Sequence, residues 1–140
     1  MIGIDTGVLV AWELPEHSEC ARIRAIMARE TAAGNQFIIA PQVLSEFIHI
    51  VSDPRRFSSP LDIATAVNRA EWWQSSTDVI VPPVDSQTFT TFFEWMRQFT
   101  LGRKRALDTL MAATYSGYGV TKILTLNESA FRLFGQFEFV

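Results

Sequence analysis

Short apolar runs alternate along the chain with longer stretches in which apolar residues recur every third or fourth position. The short runs are Met1-Ile2-Gly3-Ile4, Phe37-Ile38-Ile39-Ala40, Val79-Ile80-Val81, Lys122-Ile123-Leu124-Thr125 and Phe137-Glu138-Phe139-Val140. Most are continuous rather than alternating, which is the pattern of strands in a parallel sheet covered on both faces. The longer stretches have the spacing of amphipathic helices. His17 to Ala33 carries Cys20, Ile23, Ile26 and Met27 on one side, and Gly34 can end it. After Pro41, which suits a first helical turn, Val43, Leu44, Phe47, Ile48 and Val51 form a stripe. Leu61 to Ser75 has Ile63, Ala66, Val67, Ala70 and Trp73; Ser86 to Phe99 has Phe89, Phe92, Phe93, Met96 and Phe99. Arg105 to Gly117 has Leu107, Leu110, Met111 and Thr114, and a short helix is expected over Glu128 to Phe134. Alternating strands and helices predict an α/β protein, a three-layer α/β/α sandwich forming a single domain over residues 1–140.

Composition narrows the partners. Of the 140 residues 48% are hydrophobic, and the net charge is only -3, so a folded core is expected rather than disorder. No apolar run approaches the roughly 20 residues of a membrane-spanning helix. The N-terminus lacks a basic region and carries an acid at Asp5, so no secretion signal is expected there. Cys20 is the single cysteine and there are two histidines, which leaves no internal disulfide and too few ligands for a zinc site. A reducing, cytoplasmic setting fits. The mild acidity excludes a protein that holds nucleic acid by bulk positive charge. Any such contact has to be local, through a few basic residues or a bound cation.

The acids then decide the chemistry. Ligands of open α/β sheets bind beyond the carboxyl ends of the strands. Asp5 stands at that end of the first strand, Glu46 on the helix after the second, facing away from its apolar stripe, and Asp108 in the first turn of its helix. Asn127 and Glu128 follow the fourth strand. Each acid alone has a plainer reading. Asp5 could be a helix cap, Glu46 a solvated side chain, and Asp108 a favourable charge at a helix N-terminus. Together on one rim they would repel each other, at several kcal/mol per close pair for an effective dielectric near 20. A hard divalent cation with oxygen ligands removes that repulsion and can activate water against a phosphate.

The same segments resemble the motifs of a known family. Ile4-Asp5-Thr6-Gly7-Val8-Leu9-Val10 resembles the opening strand and turn of PIN domains, and Val43-Leu44-Ser45-Glu46-Phe47 their second acidic motif. Ala106-Leu107-Asp108-Thr109-Leu110-Met111-Ala112-Ala113-Thr114 resembles the third, and Leu124-Thr125-Leu126-Asn127-Glu128-Ser129-Ala130-Phe131 the fourth. Order, spacing and length agree over nearly the whole chain, and the VapC-type toxins of bacterial and archaeal toxin–antitoxin pairs are the most similar group. The resemblance implies a five-stranded parallel sheet in the order 3-2-1-4-5. It implies Mg²⁺- or Mn²⁺-dependent hydrolysis of RNA, with Asp5, Glu46 and Asp108 as catalytic residues and metal ligands and Thr6 bracing them by hydrogen bonding. It also implies a homodimer and a small antitoxin partner.

The fourth motif departs from the family. Asn127 stands where a fourth acid is usual, and Ala130 where an aspartate often precedes the phenylalanine. Asn127 can offer a cation a carbonyl oxygen but no charge, so a site of three acids is expected. Arg103, Lys104 and Arg105, just before Asp108, read either as an exposed basic loop or as phosphate contacts for RNA. Trp72 and Trp95 fall beside their helical stripes. Two other acid-site enzymes fit poorly: a haloacid-dehalogenase-type phosphatase needs an acid where Gly7 stands, and a response-regulator receiver needs one where Pro82 and Pro83 stand. The alternative that remains is a non-catalytic PIN-like module that binds RNA or protein.

Overall fold

All five predicted strands form, and they lie side by side in parallel. A computed structural model describes residues 1–140. The strands are β1 (Ile2–Ile4), β2 (Phe37–Ile38), β3 (Val79–Ile80), β4 (Lys122–Leu124) and β5 (Glu138–Phe139), and the sheet order is β3-β2-β1-β4-β5. Ile2 pairs with Phe37 on one side and with Lys122 on the other, so β1 is central. Its residues are wholly buried, as expected of a strand with no solvated face. The strands are shorter than the apolar runs that announced them. At β2 the pairing with β1 stops at Ile38; beyond it the Ala40 amide donates to the Tyr115 hydroxyl, and Pro41 opens the next helix.

Seven α-helices surround the sheet: α1 (Thr6–Glu13), α2 (Cys20–Ala32), α3 (Pro41–Val51), α4 (Ile63–Ser75), α5 (Ser86–Gln98), α6 (Ala106–Gly117) and α7 (Ser129–Arg132). Local chemistry explains several of their ends. Pro41 opens α3, and Gly34, with φ +80, follows the last turn of α2. Asp62 and Asp85 accept hydrogen bonds from the Thr65 and Thr88 amides and so cap α4 and α5. A single 3₁₀ turn over Arg103–Arg105 leads into α6.

Two elements differ from expectation. Helix α1 has no amphipathic signature, because Thr6, Val8, Leu9, Val10 and Ala11 are all buried and the helix shows no polar face. It packs against α2 and α3 with most of its residues buried, and there periodicity carries no signal. Helix α5 keeps only part of its predicted face: Phe92, Met96 and Phe99 are half-buried. Thr88 is its one fully buried residue, whereas Phe89 and Phe93 are 40% and 49% exposed. Trp95 stacks on Phe134 at 4.6 Å between ring centroids, so it belongs to the packed side. Trp73 is buried as expected, with its indole N–H donating to Glu13, while Trp72 is half exposed and stacks on Trp12.

Candidate active site

Parallel pairing places the carboxyl ends of β1, β2 and β4 at one rim. Asp5 follows directly after β1. It occupies the position that would cap α1, yet its side chain makes no capping bond. Instead its carboxylate accepts a hydrogen bond of 2.6 Å from the Thr125 hydroxyl. Asp62 and Asp85 occupy the same kind of position and do cap. Asp5 is therefore the acid whose placement helix capping leaves unexplained.

Glu46 reaches the rim from α3. The turn between Ile4 and Thr6 puts the buried Thr6 hydroxyl 2.7 Å from Glu46 Oε2, to which it donates. Asp108 comes from the first turn of α6 and lies 3.7 Å from Arg105 Nε in an ion pair within one helical turn. The three carboxylates sense one another. Burial pushes the pKa of Asp5 up to about 6, and the charges of Asp108 and Glu46 push in the same direction while the Thr125 hydrogen bond opposes them. Asp108 is also raised, first by burial and further by Glu46, against the lowering effect of Arg105. The site thus concentrates negative charge where ionisation is already costly.

The residues fit a hard divalent cation by their chemistry. The donors are carboxylate oxygens, and a cation would remove both the repulsion and the burial penalty. No three acids, histidines or cysteines are drawn together tightly enough to form a closed metal site. The hydrogen bonds account for this. Asp5 is held by Thr125, Glu46 by Thr6 and Asp108 by Arg105, so each carboxylate is drawn toward its own partner.

The other expected residues fall differently. Asn127 is exposed, and its side-chain carbonyl accepts from Ser129 Oγ at 2.8 Å. Glu128 is paired with Arg132. Both side chains thus have partners of their own beyond the acids. Arg103 and Lys104 are exposed on the turn before α6. Arg105 is not: its guanidinium donates to the Ala130 carbonyl and pairs with Asp108, so it acts inside the protein rather than as a free surface cation. Sequence reasoning did not assign Thr125 a role. The register could have done so, since Ile4 lies opposite Leu124 and the next residues are therefore Asp5 and Thr125.

A model of the PIN domain family matches residues 2–135. Comparison with curated proteins gives no match. Among solved structures the fold is similar to that of VapC20 from Mycobacterium tuberculosis, a sarcin-ricin loop cleaving toxin, with a TM-score of 0.70. That likeness covers 88% of this chain and 87% of the other at 18% identity, and it speaks to the fold.

Proposed function

The chain belongs to the PIN domain family, and from that premise we propose that it is a Mg²⁺- or Mn²⁺-dependent ribonuclease, the toxin of a toxin–antitoxin pair. The observation that carries the proposal is Asp5 at the end of the central strand, driven to a pKa of about 6 by burial and by the charges of Asp108 and Glu46 around the same rim. A carboxylate kept at such cost, without serving as a cap, is characteristic of a functional site.

Asp5, Glu46 and Asp108 would hold the cation. When bound it would supply Lewis-acid activation of water and offset negative charge developing on the phosphate. The protein's own part is orientation. Thr125 and Thr6 donate to Asp5 and Glu46 and so fix two of the three carboxylates. Arg105 partly offsets the charge of Asp108 and, through the Ala130 carbonyl, ties the start of α6 to α7. Arg103 and Lys104 offer exposed positive charge beside the acids, where RNA phosphates would arrive. No helix is long and apolar enough to cross a membrane. A small antitoxin and a second copy of the chain are the protein partners this reading expects.

The test is an RNA cleavage assay with and without Mn²⁺ on a panel that includes a sarcin-ricin loop fragment. Cleavage that requires metal and disappears in a folded Asp108→Asn variant supports the proposal. Cleavage that persists in that variant, or RNA binding with no cleavage at any metal concentration, refutes it.

A further inference from the structure

We infer that Tyr115 is a positioning residue for the acidic site, its hydroxyl acting as a spacer that sets Asp5 relative to the helix carrying Glu46. The inference rests on the ribonuclease reading. Tyr115 lies on α6, two turns beyond Asp108, and is fully buried. Its hydroxyl donates to the Ile4 carbonyl at 2.6 Å and accepts from the Ala40 amide at 3.2 Å.

Those two backbone groups have an obvious partner in each other. The β1–β2 ladder starts with the Ile2 amide donating to the Gln36 carbonyl and runs in register through Ile2–Phe37 and Gly3–Ile38. Continued by the alternation of a parallel ladder, its next rung is the Ala40 amide to the Ile4 carbonyl. That rung is absent, and the tyrosine oxygen stands in its place. Both polar groups stay satisfied, but two hydrogen bonds in series span more than one rung of about 2.9 Å. On the opposite edge of β1 the ladder runs on without interruption, the Asp5 amide donating to the Leu124 carbonyl at 3.1 Å. Strand β1 therefore keeps its grip on β4 while its end is held off β2.

The gap opens where the two site-bearing segments leave the sheet. Ile4 leads straight into Asp5, and Ala40 leads into Pro41 and α3, which carries Glu46. Gly3 shows how closely the ring is fitted. A Cβ there would lie 2.8 Å from Cδ2 and Cε2 of Tyr115, so the ring occupies space that only glycine in the central strand leaves. Phenylalanine would fill the same volume. Only the inserted oxygen requires tyrosine.

The experiment compares wild type with Tyr115→Phe, which keeps the ring and deletes the spacer. The expected result is closure of the direct rung, read as a shifted and more exchange-protected Ala40 amide. Mn²⁺ affinity, measured by calorimetry without RNA, should fall by about tenfold to a hundredfold, the usual cost of losing support behind a metal ligand. Cleavage should lose kcat with KM unchanged. Met27→Ala, a buried substitution in α2, serves as a control for lost stability and should keep its Mn²⁺ affinity. Should Tyr115→Phe fail to fold, Gly3→Ala displaces the ring with the hydroxyl retained and should lower Mn²⁺ affinity in the same way. Unchanged Mn²⁺ affinity in a folded Tyr115→Phe, or equal losses in Met27→Ala, overturns the positioning role alone. A wild type that binds no Mn²⁺ overturns the ribonuclease reading and this inference with it.

Discussion

Replacing Asp5 by asparagine should stabilise the metal-free protein while removing its response to metal. The carboxyl of Asp5 ionises at about 6 in the fold, against 3.8 for the same group in solvent. A raised folded pKa means that the native state binds the proton more tightly than the unfolded chain, so stability falls as pH rises between these values. The penalty is absent below about pH 4 and complete above about pH 6. Roughly two pKa units at 1.36 kcal/mol each give about 3 kcal/mol at neutral pH. Asparagine keeps the shape and can still accept from Thr125, but it has no charge to bury. In chelator at pH 7.5 the Asp5→Asn variant should therefore melt on the order of 5–10 °C above wild type. At pH 4 the two should melt together. Added Mn²⁺ should raise the wild-type melting temperature by binding the native state, increasingly between pH 5 and pH 7, and leave the variant unmoved. Differential scanning calorimetry over these conditions is the assay. A variant less stable than wild type in chelator at pH 7.5, or a difference that is the same at pH 4, would falsify the claim that Asp5 is an electrostatically strained carboxylate.

Three further outcomes are expected. Thr125→Val removes the hydroxyl that holds Asp5, so the Asp5 carboxyl should titrate higher still in a carbon-detected NMR titration and Mn²⁺ binding should weaken by about tenfold. Neutralising the exposed Arg103 and Lys104 together should flatten the salt dependence of RNA binding by about 1.4 in log–log slope, two phosphate contacts at roughly 0.7 each; an identical slope would make them bystanders. Arg105→Gln should behave differently, because its guanidinium serves Asp108 and the Ala130 carbonyl: the melting temperature should drop while the salt slope stays put.

The parts of the architecture written as periodicity were readable in the chain. Continuous apolar runs gave the five strands, and helices with one polar face gave α2, α3, α4 and α6. Helix α1 could not be read this way, because burial on every side erases the contrast between faces on which an amphipathic reading depends. Helix α5 misled for the opposite reason. It carries Phe89, Phe92, Phe93, Trp95 and Phe99, so more than one face is apolar, and spacing alone does not choose the face that is buried.

At the site, sequence reasoning found the charges and overlooked most of the neutral groups that hold them. Asp5 stands out at a strand end, Asp108 in a helix's first turn, and Glu46 on a helix position facing away from the apolar stripe. Thr125 and Tyr115 look like ordinary strand and helix residues, and only the register of β1 against β4 and β2 gives them meaning. Their hydroxyls suit this rim for a physical reason. A lysine or arginine beside Asp5 would neutralise the carboxylate as a cation does and compete for the place. A hydroxyl orients the oxygen by a single hydrogen bond and leaves the charge to attract a metal. The arginine that does pair with a site acid, Arg105, takes Asp108, the less buried of the two raised carboxyls, and is itself tied to a backbone carbonyl. The fold thus keeps the central carboxylate strained and fixes it with uncharged donors, which is the condition under which binding a dication also stabilises the protein.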